Sequence, residues 1–303
     1  MDYRRLQHFL AAVRHGKLTA AASELGISQP ALSKSIKGLE RSLGVRLLER
    51  GRFGVVATPF GEALAARGGA VEAELRHALD EIEALKGATR GHVVVGCGPT
   101  EANRLLPLAL QWLQRQRPEV RVTVLYGLNE SLMPWVRHGE IDFAFSSIPS
   151  RPADDALVHE PLFVDSGAIV ARAGHPLARR RNLTLADLLT QQWVLARGYE
   201  LERQAFDALF RAQRLPAPVA AVETTSTVLM KSIVLQSDAL TFIPRELIYW
   251  EERAGQLLAL KVAGAEWVRH VGVTRRHLGT LMPAARLLIE GLRQTARDQL
   301  RRA

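Results

Sequence analysis

Cys97 is the chain's single cysteine, which excludes an internal disulfide framework and fits a reducing compartment. There is no run of eighteen apolar residues to cross a bilayer, and the charged start MDYRR enters a helical pattern without the apolar stretch of a secretory signal. A cytoplasmic protein with no membrane partner is therefore expected. The groupings that support catalysis are missing as well. Gly96-Cys97-Gly98 lacks both the third glycine of a dinucleotide fingerprint and the lysine of a phosphate-binding loop, so it reads as a tight turn. His270 and His277 are too far apart for ligation from one helix face, and no cysteine or carboxylate cluster joins them, so no metal site is expected. No serine sits in a nucleophile elbow, and no carboxylate pair is marked by spacing. An isolated cysteine is usually a small packing residue, and Cys97 is read as one. The expectation is a protein that is not an enzyme and has no cofactor, no metal and no catalytic residue.

What is present begins with size and charge. With 303 residues, 47% of them hydrophobic, the chain can bury substantial cores in two or three domains. The net charge of +9 is unevenly spread. Residues 1–58 hold ten Lys/Arg against four Asp/Glu, whereas residues 59–86 hold three against six. A basic first segment points to nucleic acid, and an acidic second segment argues against that stretch lying on phosphate.

Residues 18–39, LTAAASELGISQPALSKSIKGL, contain two short helical patterns meeting at a four-residue break. Ala20, Ala21 and Ala22 give the first high helix propensity and little bulk, as a second helix crossing close by requires. Gly26 suits the left-handed turn, with Ile27 as an apolar plug beneath it. Ser28 is the expected N-cap of the second helix, where Pro30 is tolerated in the first turn. Leu25, Ile27, Leu32, Ile36 and Leu39 then fall inward, leaving Gln29, Ser33, Lys34 and Lys37 directed outward. Glutamine can pair with adenine, serine and lysine can reach base edges or phosphate, and a helix N-terminus favours phosphate. This is a helix-turn-helix pattern. Leu6, Phe9, Leu10 and Val13 supply the stripe of a preceding helix, and residues 45–48 and 55–58 read as wing strands with Arg50 and Arg52 near the tip.

The runs AVRHGKLTAAA (12–22), SQPALS (28–33), LERSLG (39–44) and LLERGRFGVVATPFGEAL (47–64) together resemble the LysR-type transcriptional regulators. Two positions depart from the family's usual pattern: Lys17 stands where a serine is common, and Leu48 where a phenylalanine is. The resemblance implies a winged helix-turn-helix domain over 1–58, a linker and dimerisation helix over 59–87, and an effector-binding domain over 88–303. That last domain would be α/β and two-lobed, like a type 2 periplasmic binding protein. Lobe I would comprise about 91–164 and 268–303, and lobe II about 165–267. On this reading Lys17, Ser28, Gln29, Pro30, Ser33, Lys34, Lys37, Arg50 and Arg52 meet double-stranded promoter DNA.

From Pro59 to about Lys86 one long helix is expected, with apolar residues at heptad spacing. Leu64, Val71, Leu75, Ile82 and Leu85 mark a narrow seam for a second copy of the chain, giving a homodimer or homotetramer. A hinge is expected at 87–91. Beyond it, strands at 92–97, 120–126 and 141–147 alternate with helices at 103–117 and 129–138, which is parallel α/β order. A second set has strands at 162–172, 193–196, 219–223, 239–243 and 268–274, with helices at 201–214, 226–236 and 282–302. Ligands settle beyond the carboxyl ends of strands in open α/β sheets. Pro99, Thr100, Glu101, Tyr126, Ser146, Ser147, Thr224, Thr225 and Ser226 are accordingly expected to hold a small polar or anionic effector. Two rival classes remain open. An α/β enzyme with a DNA-binding appendage would turn over a metabolite with residues 88–303. A nucleoid protein would bind DNA without sequence preference and leave the two-lobed domain unexplained.

Overall fold

The structure is a computed structural model describing residues 2–52, 54–85, 91–149, 155–198, 200–277 and 279–300. Its N-terminal part contains α1 (Tyr3–His15), α2 (Leu18–Glu24), α3 (Gln29–Leu43), β1 (Leu48–Gly51) and β2 (Gly54–Ala57). Local chemistry sets these boundaries. Asp2 caps α1 by accepting from the Arg4 N–H, and Ser28 caps α3 by accepting from that of Ala31 at 3.3 Å. Gly16 and Gly44 end α1 and α3 in the left-handed region, where a side chain would strain the backbone. Leu6, Phe9, Leu10, Leu39 and Leu47 form one buried cluster; Ala11, Ala12, Ala21, Ala22, Leu32 and Ile36 form the other. The alanines keep α1 and α2 close.

The first wing strand starts three residues later than the apolar run 45–48 suggests. Leu47 is buried in the core, and the Glu40 carboxylate accepts from the Leu47 and Leu48 N–H groups, so this segment is held beneath the domain until β1 begins. β1 and β2 then pair antiparallel, Leu48 opposite Ala57. The wing base is pinned to the end of α1, where the Val55 N–H donates to the Gly16 carbonyl at 2.8 Å.

α4 (Pro59–Leu85) leaves this domain as a 27-residue helix whose first turn is capped by Thr58, which accepts from Gly61. Two of its glycines lie against other elements of the same chain. A Cβ on Gly68 would come 2.8 Å from Leu6 of α1, and one on Gly69 would overlap the His138 carbonyl. Leu64, expected in a seam between copies, packs half-buried on its own domain core. Val71, Leu75 and Ile82 stay exposed. The Leu85 side chain and the expected hinge, apart from Gly91, lie outside the described residues.

The rest is mixed α/β. In chain order come β3 (His92–Cys97), α5 (Pro99–Asn103), α6 (Leu105–Gln116), β4 (Arg121–Tyr126), α7 (Asn129–Arg137), β5 (Phe143–Ser147) and β6 (Leu157–Arg172). They are followed by β7 (Leu183–Thr184), β8 (Val194–Leu195), α8 (Leu201–Ala212), β9 (Val222–Glu223), α9 (Thr227–Gln236) and β10 (Thr241–Pro244). The last elements are α10 (Tyr249–Arg253), β11 (Leu257–Ala259), β12 (Val262–Ala263), β13 (Val268–Arg276) and α11 (Pro283–Leu300). Seven strands form one sheet in the order β4-β3-β5-β13-β6-β10, with β11 on the other side of β6. β3, β4 and β5 run parallel, and β13 lies antiparallel to β5 and β6.

β6 makes this sheet two lobes. Its first part, 157–166, pairs with β13, and its last part, 167–172, pairs with β10 and β11. Where β6 crosses, the Gly167 N–H donates to the Trp267 carbonyl, so the outgoing and returning chains are tied side by side. β6 starts five residues before the expected 162 because it contains Pro161 and the polar pair His159 and Glu160. A proline is tolerated at a bulge, and the register with β13 does shift between Val271 and Gly272, opposite Pro161. Lobe I is packed by Val93, Val95, Phe143, Phe145, Leu288 and Leu292, lobe II by an aromatic group in which Trp193, Phe206 and Phe210 stack at 4.7 to 6.5 Å. The expected helix 103–117 is broken at Arg104, where φ is −143°, into α5 and α6.

Candidate functional site

Two surfaces call for a chemical account, and the first is the exposed end of α3. Gln29, Pro30, Ala31, Lys34 and Lys37 are exposed there, Ser33 half so. Ser28 is exposed too, but its hydroxyl is engaged as the cap, so its first role is to start the helix. Lys17 is exposed beside the wing: a Cβ on Gly54 would lie 3.3 Å from the Lys17 Cγ. Arg52 is exposed at the hairpin tip, whereas the Arg50 side chain lies outside the described residues. One helix end, the wing and a lysine between them thus present basic and amide groups on one domain. His8, absent from the sequence reading, meets Ser35 of α3 at 2.8 Å, and burial lowers its pKa. A histidine facing an inward serine gave no periodic signal.

The second surface is a cavity of about 520 Å³ between the lobes. Lobe I supplies the carboxyl ends of β3, β4 and β5, where Gly98, Gly127 and Ile148 turn away from the sheet. Lobe II supplies the start of α8, the start of α9, and Ile243, Pro244 and Leu247. Six of the nine expected effector residues line it: Pro99, Thr100, Glu101, Ser146, Ser147 and Thr225. Three do not. Tyr126 is 58% exposed, and its side chain hydrogen-bonds Thr227 at the start of α9, at the rim of the cavity. Thr224 accepts from the Ser226 N–H, and Ser226 caps α9 by accepting from Leu229, so both hydroxyls shape the turn and not the cavity wall.

Charge in this cavity centres on Arg269 of β13, which the sequence reading missed. Its Nη2 donates to the Thr100 hydroxyl at 2.6 Å and to Asp165 at 3.1 Å, and its Nη1 donates to Glu202 at 3.0 Å. Glu101 approaches the same Nη2 at 3.6 Å, too far for a hydrogen bond. Thr100 and Glu101 belong to lobe I and Glu202 to lobe II, so one buried guanidinium joins both walls. Burial opposes the Arg269 charge, but Glu101, Asp165 and Glu202 together hold its pKa above the ordinary value. Glu101 is 2% exposed, and burial pushes its carboxyl up to about 7 although Arg269 pulls it back. Burial raises Asp165 and Glu200 as well. Of the described lining side chains, Glu101, Glu130, Glu200 and Glu202 are carboxylates against the one guanidinium of Arg269. Arg269 is committed to carboxylates of the protein itself, through Asp165 and Glu202.

Ser147 is positioned by Asn129, whose side-chain amide donates to both the Ser147 carbonyl and hydroxyl, at 2.8 and 2.9 Å. Cys97 ends β3 just beneath, 1% exposed, and burial pushes its thiol up to about 12. It is a packing residue by both measures. Among the described residues no cluster of three or more His, Cys, Asp or Glu could hold a metal ion, and no helix is long and apolar enough to cross a membrane.

A basic winged helix-turn-helix joined by a long helix to a two-lobed binding domain defines a class of ligand-responsive DNA-binding regulators. Comparison with known proteins gives the family. Residues 3–62 match the bacterial regulatory helix-turn-helix protein model of the lysR family, and residues 86–297 match the LysR substrate binding domain. The chain belongs to the LysR family of transcriptional regulators, with a DNA-binding and an effector-binding domain. It is 31% identical to the HTH-type transcriptional regulator GbpR of Azospirillum brasilense, over 100% of this chain and 89% of that one. Among solved structures it is similar to ArgP from Mycobacterium tuberculosis, with a TM-score of 0.72 and 18% identity over 98% and 97% of the two chains. It is also similar to a full-length OxyR variant from Pseudomonas aeruginosa, with a TM-score of 0.69 and 22% identity over 98% and 95%.

Proposed function

We propose that this chain binds an inverted-repeat promoter site as a homo-oligomer, through α3 and the wing, and that a small molecule held between the two lobes alters that complex. It acts in the cytoplasm and without catalysis. The observation that carries the reading is the interlobe cavity itself. It sits at the carboxyl ends of three parallel strands, and its walls come from both lobes. A ligand there touches two bodies whose relative position it can change, and it shifts the regulator by its differential affinity for the two arrangements. Val71, Leu75 and Ile82 on α4 supply the contact between copies.

Gln29 reads a base, while Lys34 holds a phosphate. Footprinting on the chromosomal target, followed by salt titration of the variants, tests this. Lys34→Ala should lower affinity across sequences and reduce the salt slope by about 0.9. Gln29→Ala should relax base preference, at a cost of about 1 to 3 kcal/mol in discrimination. Wild-type affinity and wild-type slope in both variants would reject the placement of α3 on DNA.

A further inference from the structure

A second cavity, of about 620 Å³, also lies between the lobes and takes no part in the effector site. Its size falls in the range of about 300 to 1,000 Å³ common to small-molecule sites. Lobe I contributes the start of α6 and residues 163–166 of β6; lobe II contributes residues 245–246 and α10. The two cavities share one wall, made where α5 meets the turn Arg245–Ile248. On lobe I, Thr100 and Glu101 face the first cavity and Arg104 the second; on lobe II, Leu247 faces the first and Glu246 the second.

Pairing off the charges of the second cavity leaves one over. Arg104 holds both oxygens of Glu246, at 2.8 and 2.6 Å, Arg245 holds Glu252 at 3.1 Å, and Asp165 is held by Arg269 at 3.1 Å. Arg253 has no carboxylate partner among the described residues. Its guanidinium lies 5.7 Å from the centre of the Tyr249 ring, on an exposed residue. The rest of the lining is largely apolar and comes from both lobes: Leu105, Leu108, Phe163 and Val164 on one side, Trp250 on the other. Val164 and Trp250 are exposed, so a ligand that covers them removes apolar surface from water.

We propose that this second cavity binds a small monoanion with an apolar body, its carboxylate paired with Arg253 and its body against Trp250 and Val164, and that its occupation opposes closure of the effector cavity. A cation of the same shape would face Arg253, and the carboxylates that could receive it are already held by arginines. A neutral analogue would cover the apolar surface and leave Arg253 without a partner. The opposition follows from the shared wall. Lobes that rock about it narrow one cavity as they widen the other, so a molecule in the second cavity favours the arrangement in which the first is open. This last step rests on the assignment of the effector site to the first cavity.

Calorimetric titration of the full chain with 3-phenylpropionate, beside 3-phenylpropan-1-ol and 3-phenylpropylamine, tests the site with one body and three charges. The carboxylate should bind at least about fivefold more tightly than the alcohol or the amine, and Arg253→Gln should remove that preference. Val164→Asp, at an exposed position, should weaken the carboxylate by repulsion while Val164→Lys keeps it, and Ser147→Ala in the first cavity should leave it unchanged. Carboxylate binding that is lost in Ser147→Ala and kept in Arg253→Gln would put the ligand in the effector cavity and overturn the second site. Equal binding of all three probes, or none up to about 10 mM, overturns it as well. Fluorescence anisotropy on labelled target DNA tests the opposition separately. 3-Phenylpropionate should shift the DNA affinity of wild type at least about twofold and leave Arg253→Gln unmoved. Binding with the expected variant pattern but no shift in DNA affinity would overturn the opposition, and it would leave the effector reading of the first cavity standing.

Discussion

At the scale of single residues, Glu101 is held where its charge is disfavoured, and the consequence has a definite sign. Its folded-state pKa lies at about 7, above the ordinary carboxylate value, and burial is the main cause. Below the ordinary value both folded and unfolded chains are protonated there, and this contribution to stability is fully present. As the pH climbs towards 7 the unfolded chain gives up its proton first, so the contribution is lost, and above 7 the loss is complete. Glu101→Gln removes the titration. Its melting temperature relative to wild type should therefore rise between pH 5 and pH 8, by roughly 3 to 8 °C. A gap that stays constant across those pH values would mean Glu101 is ionised without penalty. The sequence showed Glu101 as a position, at a strand-to-helix turn, but not its environment. Ser28 and Gly26 were legible because caps and left-handed turns are local chemistry. Arg269 was not, because a charged residue opening an apolar strand announces nothing until Thr100, Asp165 and Glu202 are brought to it by tertiary structure.

At the scale of elements, periodicity located most helices and the parallel strands, and it failed where contact with a neighbour decides. Residues 45–47 look like strand but are drawn inward by Leu47 and Glu40; residues 157–161 look unlike strand but are paired with β13 across a bulge. α4 combines both lessons. Its length and heptads were legible, yet Gly68 and Gly69, which fit a close approach of helices, are used within the chain, one against α1 and the other against the His138–Gly139 turn. What remains for a second copy is the stripe of Val71, Leu75, Leu79 and Ile82, all exposed. An apolar row on an otherwise acidic helix is costly to leave in water, and association removes it. Leu75→Asp places a carboxylate in that stripe, where burial without a partner is strongly unfavourable. Sedimentation should then show the assembly dissociating or rearranging at micromolar concentration. Assembly as in wild type would put the contact elsewhere.

At the scale of the whole molecule, a route from cavity to DNA has to pass through contacts between separate bodies, and two sets of such contacts among the described residues lie on that route. Behind the cavity, α5 carries Thr100 and Glu101 on its cavity side, while Asn103 and Arg104 at its end grip lobe II. Arg104 forms a two-pronged pair with Glu246 at 2.8 and 2.6 Å, and the Asn103 amide donates to the Glu246 carbonyl. A ligand that moves α5 therefore also moves lobe I against lobe II. Lobe I in turn is fastened to the middle of α4: Arg76 donates to the Gly139 carbonyl and to buried Asp142, and Glu74 accepts from the Thr280 N–H. One turn earlier on α4, Glu72 accepts from Arg14 of α1, in the DNA-binding domain. Successive turns of one helix thus hold the effector lobe and the DNA-binding domain, so a shift of lobe I is transmitted through a stiff element. Arg76→Ala removes two of the bonds on the lobe side and touches neither the α3 surface nor the cavity. DNA affinity without ligand should stay within about twofold of wild type, since no phosphate contact is lost. The change in affinity that a cavity ligand produces should shrink by at least about threefold, because coupling energies are typically only about 1 to 3 kcal/mol and two of the bonds joining lobe I to α4 are lost. Fluorescence anisotropy on labelled target DNA, with and without the ligand, measures both quantities in one experiment. An undiminished ligand effect in Arg76→Ala would mean that the signal leaves lobe I by another surface, such as the interface between copies.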